Sequence, residues 1–289
     1  MSDYDSFRRF FFEDLGIRGE WVRLDDSWEA ARAGTSYPLS VEAQLGQALA
    51  AVVLLSGTIK FQGSLILQIQ STGPLTTLVA QATHSRTIRG AACWKDPIEG
   101  DTLPEVFGEG RMVLTIQNQN NPPYQGIVAL EGNTLAQAIE VYFTRSEQLP
   151  TRLWLFADHQ RAGGLFIQAL PEHTGTREDW NRVNFLADTL TKAELLNLPS
   201  EVLLYRLFNE ERVRLFEPET VVFRCGCTRE RVEQVLIALG LGDMGDLLDQ
   251  DSPVRVCCEF CNRDYQFDRV DIAALFAQQS RFFSPATRH

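Results

Sequence analysis

Five of the chain's six cysteines lie in its last quarter, and their spacing constrains the fold more than any other feature. Cys225-Gly226-Cys227 is followed, after thirty intervening residues, by Cys258-Glu259-Phe260-Cys261. Two close pairs on separate turns can converge on one tetrahedral ion, and four thiolates at about 2.3 Å suit Zn²⁺. None of the four histidines (His84, His159, His173, His289) falls within the cluster, which favours an all-sulfur site over a mixed one. The reading is one Zn²⁺ per chain on Cys225, Cys227, Cys258 and Cys261. Cys257 adds a fifth thiol, and Cys257–Cys261 would be C-x₃-C, also within ligand range. The C-x-x-C spacing favours Cys258 as the third ligand. Spacing alone leaves open whether such a site is a permanent clip for a tail too small to fold by itself or a switch. Cys93, between Ala92 and Trp94 in a strand-like stretch, reads as a small buried hydrophobe.

The rest of the chain narrows the function classes. At 289 residues and 44% hydrophobic content it can bury a core, and its net charge of -11 disfavours a phosphate backbone as partner. The most apolar run, Ala48 to Leu55, is too short for a membrane span. The opening Met1-Ser2-Asp3-Tyr4-Asp5 lacks the basic and apolar regions of a signal peptide, so a cytoplasmic protein is expected, with its thiols reduced. There is no glycine-rich phosphate loop, nucleophile elbow or His-Glu-x-x-His, and no enzyme is expected. Asp96, Glu99, Asp101 and Glu105 read as a solvated surface. His84 with Arg86 and Arg89 suggests an anion site, but without a phosphate-binding loop it reads as a surface turn.

Periodicity gives an α+β protein with antiparallel sheet. Strands are expected at Trp21–Leu24, Gly63–Gln70 and Leu75–Gln81, the last two forming a hairpin. Met112–Ile116 and Gln125–Leu130 flank a loop at Asn118–Pro123, and strands recur at Arg152–Phe156 and Gly164–Leu170. Helices are expected from Ser40, as N-cap, to about Leu55, and over Thr134–Thr144. Pro171–Thr176 is a linker by composition, which closes a first domain at 1–176. A charged helical segment, 177–222, has helices at Asp179–Leu190, Thr191–Leu198 and Ser200–Phe208; the last places Leu203, Leu204, Leu207 and Phe208 on one face. The tail, 223–289, carries a helix capped by Thr228 and ending near Gly240, a short helix at Met244–Leu248, an extended Val254–Val256, the C-x-x-C knuckle, Tyr265–Phe267 and a last helix at Asp268–Gln278.

Phe208-Asn-Glu-Glu-Arg-Val-Arg-Leu-Phe-Glu-Pro218, Phe223-Arg-Cys-Gly-Cys-Thr-Arg-Glu-Arg-Val232 and Cys258-Glu-Phe-Cys-Asn262 resemble the thirty-three-kilodalton heat-shock protein family of redox-regulated chaperones. The likeness extends through Leu45-Gly-Gln-Ala-Leu-Ala-Ala51, Thr58-Ile-Lys-Phe-Gln-Gly63, Gly73-Pro-Leu75, Tyr124-Gln-Gly-Ile-Val128 and Tyr142-Phe-Thr-Arg-Ser-Glu-Gln-Leu-Pro-Thr151. It implies a client-binding and dimerising first domain, a redox-sensitive linker at 177–222 and a zinc-binding switch domain at 223–289. It further implies an ATP-independent holdase, inactive when reduced and zinc-bound. Oxidation would form Cys225–Cys227 and Cys258–Cys261 disulfides, release zinc, unfold switch domain and linker, and favour a homodimer. Unfolded clients would later pass to an ATP-dependent foldase system. Cys257 departs from the family motif, which needs no cysteine there.

Two other classes compete. A zinc-ribbon-like nucleic-acid-binding or regulatory protein with purely structural zinc needs a basic face near the knuckle, and Arg224, Arg229, Arg231, Arg255 and Arg263 are offset by neighbouring acids. A thiol oxidoreductase places its C-x-x-C at a helix N-terminus after a strand, whereas here it sits in a knuckle with a second cysteine pair.

Overall fold

Leu39–Thr58 is a helix whose middle, from Ala48 to Leu55, is buried on every side. Such a helix must be enclosed, and here two sheets enclose it. Among the described residues it is the one helix long and apolar enough to cross a membrane, and 78% of its apolar window is buried inside the protein. It begins one residue before the expected cap, behind Pro38 and with no side-chain cap. Ser40 instead donates its hydroxyl to the Gly100 carbonyl at 3.1 Å.

The structure, a computed structural model, describes residues 3–59, 61–95, 97–118, 121–171, 175–248 and 253–282. Asp96, His173, His289, part of the loop expected at Asn118–Pro123 and part of the Pro171–Thr176 linker lie outside the described residues. The first elements are β1 (Ser6–Phe12), β2 (Ile17–Leu24), α1 (Asp26–Arg32), α2 (Leu39–Thr58), β3 (Gly63–Ser71), β4 (Leu75–Thr83) and β5 (Thr87–Trp94). There follow α3 (Leu103–Phe107), β6 (Gly110–Asn118), β7 (Asn121–Ala129), α4 (Leu135–Tyr142), a π-helical turn at Phe143–Glu147, β8 (Thr151–Ala157) and β9 (Ala162–Ala169). One sheet runs β8-β9-β2-β1, and the other β5-β4-β3-β6-β7, all antiparallel. The α+β class expected from periodicity is the class found.

Strand β1 was not foreseen: it is buried on both faces, and Arg8 and Arg9 interrupt its apolar run. Phe7 packs with α2 in the main core, whereas Phe10 and Phe12 face the opposite way. A strand covered on both sides loses the alternation that marks a half-buried one. The expected loop at Asn118–Pro123 also differs: Asn121, Pro122 and Pro123 open β7, an edge strand, where a missing N–H is tolerated. Cys93 is exposed on β5, not buried. The turn at His84–Arg89 is no plain surface turn, because Arg86 is only 7% exposed and its guanidinium lies 4.1 Å from the Phe7 ring centroid.

After β9 come α5 (Arg177–Ala187), α6 (Lys192–Asn197), α7 (Ser200–Phe208), β10 (Val213–Leu215), β11 (Glu219–Thr220) and β12 (Val222–Phe223). Thr176 with Asp179 and Thr191 with Glu194 form capping boxes that start α5 and α6. Val183, Ala187, Leu195, Leu203, Leu207 and Phe208 bury their apolar faces against Phe10, Phe12, Trp21, Leu165 and Ile167 of the first sheet. Polar contacts fix the register. The Ser200 amide and hydroxyl donate to Asp3 Oδ2 at 2.6 and 2.8 Å, Arg23 reaches the Leu198 carbonyl at 3.3 Å, and Arg152 pairs with Asp188 at 2.7 Å. Strands β10 and β11 pair with β1, and β12 joins β5 in parallel.

By contact density the chain divides into two compact units between Arg224 and Cys225. The second contains α8 (Arg229–Leu248), β13 (Val254–Cys257), β14 (Asp264–Phe267) and α9 (Arg269–Phe282). Gly240, at φ 83°, breaks α8 where the helix was expected to end. Among the described residues its buried core is small: Val232, Leu236, Tyr265, Phe267 and Ile272.

Leu49 of α2 is fully buried between the sheets. Leu49→Ala is expected to destabilise the first unit by about 2–5 kcal/mol, through lost burial and a residual cavity. Urea unfolding followed by circular dichroism checks this.

Candidate metal centre

Two local structures present the cysteines. Cys225 and Cys227 lie in the stretch that leads into α8. There the Thr228 carbonyl accepts from the Val232 amide at 3.1 Å and the Thr228 hydroxyl from the Arg231 amide at 3.3 Å. The Arg231 guanidinium donates to the Gly226 carbonyl at 2.6 Å and holds the C-x-C segment against the first turn of α8. The second pair sits on the turn between β13 and β14. The Cys258 amide donates to the Arg263 carbonyl at 3.0 Å, and the Cys258 carbonyl accepts from Asn262 at 2.7 Å. Asn262 takes φ 53°, a left-handed conformation that asparagine tolerates.

These turns bring Cys225, Cys227, Cys258 and Cys261 together, with all four Sγ atoms within 4.8 Å of one another. Cys225 and Cys258 are separated by 3.6 Å, and Cys227 and Cys261 by 3.3 Å. Four sulfurs at about 2.3 Å from a central ion would stand about 3.8 Å apart, so a tetrahedral divalent cation fits this donor set with little movement. Cys257, the last residue of β13, is exposed and stands outside the cluster, its Sγ 4.0 Å from Asn262 Oδ1. The alternation of a strand explains that placement, since neighbouring side chains leave it on opposite sides.

The site favours charge on one sulfur and opposes it on two others. Burial acts to raise the Cys227 thiol, but the Tyr265 hydroxyl, donating at 3.3 Å, and the other three thiols bring it down to about 7. Burial pushes Cys225 up to about 12 and raises Cys261 as well. Four thiols sharing one site give up protons in sequence, and each later loss meets a thiolate already present. A bound cation removes that repulsion.

Two supporting residues escaped the sequence reading. Tyr265 belongs to Tyr265–Phe267, which the sequence placed only as a short segment after the knuckle. Arg229 donates to the Gln266 carbonyl at 2.9 Å and to Asp271 at 2.8 Å, and stacks over Phe267 at 4.3 Å, so it ties together α8, β14 and α9. Sequence counted it only among the basic residues near the knuckle.

Comparison with known proteins extends over nearly the whole chain. The sequence model of the family described as Hsp33 protein matches residues 5–268. A 33 kDa chaperonin of Nitrosococcus oceani is 58% identical over 289 residues, covering 100% of both chains. A 33 kDa chaperonin of Vibrio cholerae is 41% identical over 277 residues, 94% of this chain and 95% of that one. The solved structure of a 33 kDa chaperonin from Thermotoga maritima shares the fold, with a TM-score of 0.80 at 23% identity, covering 96% of this chain and 99% of that one. The chain thus belongs to the Hsp33 protein family of chaperones.

Proposed function

We propose that this chain is a redox-regulated, ATP-independent holdase of the cytoplasm, switched at Cys225, Cys227, Cys258 and Cys261. The observation that carries the reading is the convergence of these four sulfurs in a unit with so small a buried core. In the reduced form the four cysteines hold one Zn²⁺ as thiolates. Bound there, the ion supplies cross-linking free energy, roughly 10–16 kcal/mol in small zinc peptides, more than a small domain's whole stability.

Oxidation pairs Cys225 with Cys227 and Cys258 with Cys261. Each pair of thiolates gives up two electrons as its disulfide forms, so two molecules of hydrogen peroxide, each taking two electrons and two protons from solvent to form two waters, complete the change. None of the four thiolates then remains to hold a cation, and the second unit keeps only its apolar packing, among the described residues that of Val232, Leu236, Tyr265, Phe267 and Ile272. The pairing within each motif rests on the family resemblance, since all four sulfurs are within mutual reach.

The linker at 177–222 would respond next. Strands β10, β11 and β12 directly precede Cys225 in the chain, so unfolding of residues 223–289 removes their anchor on one side. Undocking α5, α6 and α7 uncovers Phe10, Phe12, Trp21, Leu165 and Ile167, an apolar face suited to unfolded clients. Such a face also favours a homodimer in the oxidised state, and release of clients to an ATP-dependent foldase system would complete the cycle.

Metal analysis of the full chain under reducing conditions is expected to give one zinc per chain, and none after peroxide. Cys258→Ser is expected to lose both zinc and activation, whereas Cys257→Ser keeps both; an exchange of these phenotypes would overturn the ligand assignment. Tyr265→Phe removes the donor to Cys227 and is expected to weaken zinc about tenfold in a chelator competition. Hydrogen exchange of reduced and peroxide-treated protein is expected to show lost protection over 177–222, with α2 still protected. In parallel, the oxidised protein should suppress client aggregation without ATP. Equal linker protection in both states would reduce the centre to a structural clip.

A further inference from the structure

The first unit contains a cleft of about 860 Å³ between β1, β2, the end of α2 and β11. That volume is typical of a small-molecule site. Its wall carries the guanidinium groups of Arg9, Arg18 and Arg86. The acidic residues among the described part of the wall are Glu20 and Glu219. Glu219, on β11, is held by both Arg9 and Arg86; Arg86 Nε donates to it at 2.9 Å and Arg86 Nη1 donates to the Ser56 hydroxyl at 2.6 Å. These two arginines hold its carboxyl below the usual range against the opposing effect of burial.

Glu20 is different. It is 1% exposed, its Oε2 has no hydrogen-bond partner, and burial pushes its carboxyl up to about 8. Burial thus favours its protonated form, which can donate a hydrogen bond, against the pull of Arg18, Arg86 and Arg9. Three arginines and two glutamates therefore share the wall, in a chain of net charge -11, and the Arg18 guanidinium is itself held by Gln168 and the Thr58 carbonyl. A buried polar atom without a partner, beside a surplus of guanidinium, marks a place for a missing acceptor. Ile59, Phe61 and Phe216 make the rest of the wall apolar.

We infer that this cleft binds a small organic anion, a carboxylate or phosphate head on an apolar or aromatic body, whose head competes with Glu219 for Arg9 and Arg86. The inference concerns the first unit alone and stands whether or not the redox reading does. Because Glu219 lies on the strand that pairs with Ser6 and Phe7 of β1, an occupied cleft would also loosen the end of the linker.

Calorimetric titration of the reduced full chain tests this with phenyl phosphate, phenylacetate, 2-phenylethanol and inorganic phosphate. Saturable one-to-one binding of an aromatic anion is expected, with none of the neutral alcohol; the tighter of phenyl phosphate and phenylacetate identifies the head group. Glu219→Gln removes the competing charge and is expected to tighten binding about tenfold, and Arg9→Gln, at a half-exposed side chain, to weaken it about tenfold. Inorganic phosphate binding as tightly as phenyl phosphate would overturn the apolar body. Absence of binding to both the natural chain and Glu219→Gln would overturn the site, as would affinities unchanged in both variants while circular dichroism shows them folded.

Discussion

Four sulfur atoms meeting within 4.8 Å are the constraint on which the second unit depends. Ordering its backbone costs about 1–2 kcal/mol per residue, and the buried side chains among its described residues, Val232, Leu236, Tyr265, Phe267 and Ile272, recover only part of that. Structure of this kind is held at a point as much as by a core. Elements that share few apolar contacts are joined instead through two turns, each built from backbone hydrogen bonds at Thr228 and Cys258 and from the Arg231 contact with Gly226. The sulfur positions are therefore a property of the turns.

The first unit has the opposite construction. Helix α2 is enclosed between two sheets, and that enclosure leaves the first sheet with a second, outward face of large aromatic side chains. A face with Phe10, Phe12 and Trp21 cannot be left to water without cost, so three helices that follow β9 in the chain cover it. Their coverage is apolar in the middle and polar at the ends, where Asp3, Arg23 and Arg152 fix helix termini in place. Many small contacts of this kind can be made and broken without disturbing the core around α2.

How much of this was legible in the sequence depends on burial. The hairpin of β3 and β4 and the helices α5, α6 and α7 were legible because each has one apolar face, and one-faced elements carry a period; β8 and β9, buried on both faces, were legible as short apolar runs. Strand β1 is buried on both faces too, but Arg8 and Arg9 interrupt its apolar run. Cys93 was misjudged because sequence cannot tell which side of an edge-near strand its side chain leaves; Ala92 is buried and Cys93 is not. The cysteine cluster was legible from spacing alone, whereas Tyr265 and Arg229, which support it, are specified only by the packing of β14 against α8 and α9. Arg86 shows the same limit: adjacent charges read as a surface turn, yet folding buries its guanidinium over Phe7 and against Glu219.

Strand β7 closes one end of the second sheet and begins Asn121-Pro122-Pro123. Pro122 and Pro123 fall where the register between β6 and β7 shifts, between Asn121 and Tyr124, and neither carries an N–H. That edge therefore lacks a donor where an incoming strand would need it. A protein that keeps company with unfolded, strand-forming chains is guarded there against becoming the first layer of an aggregate itself.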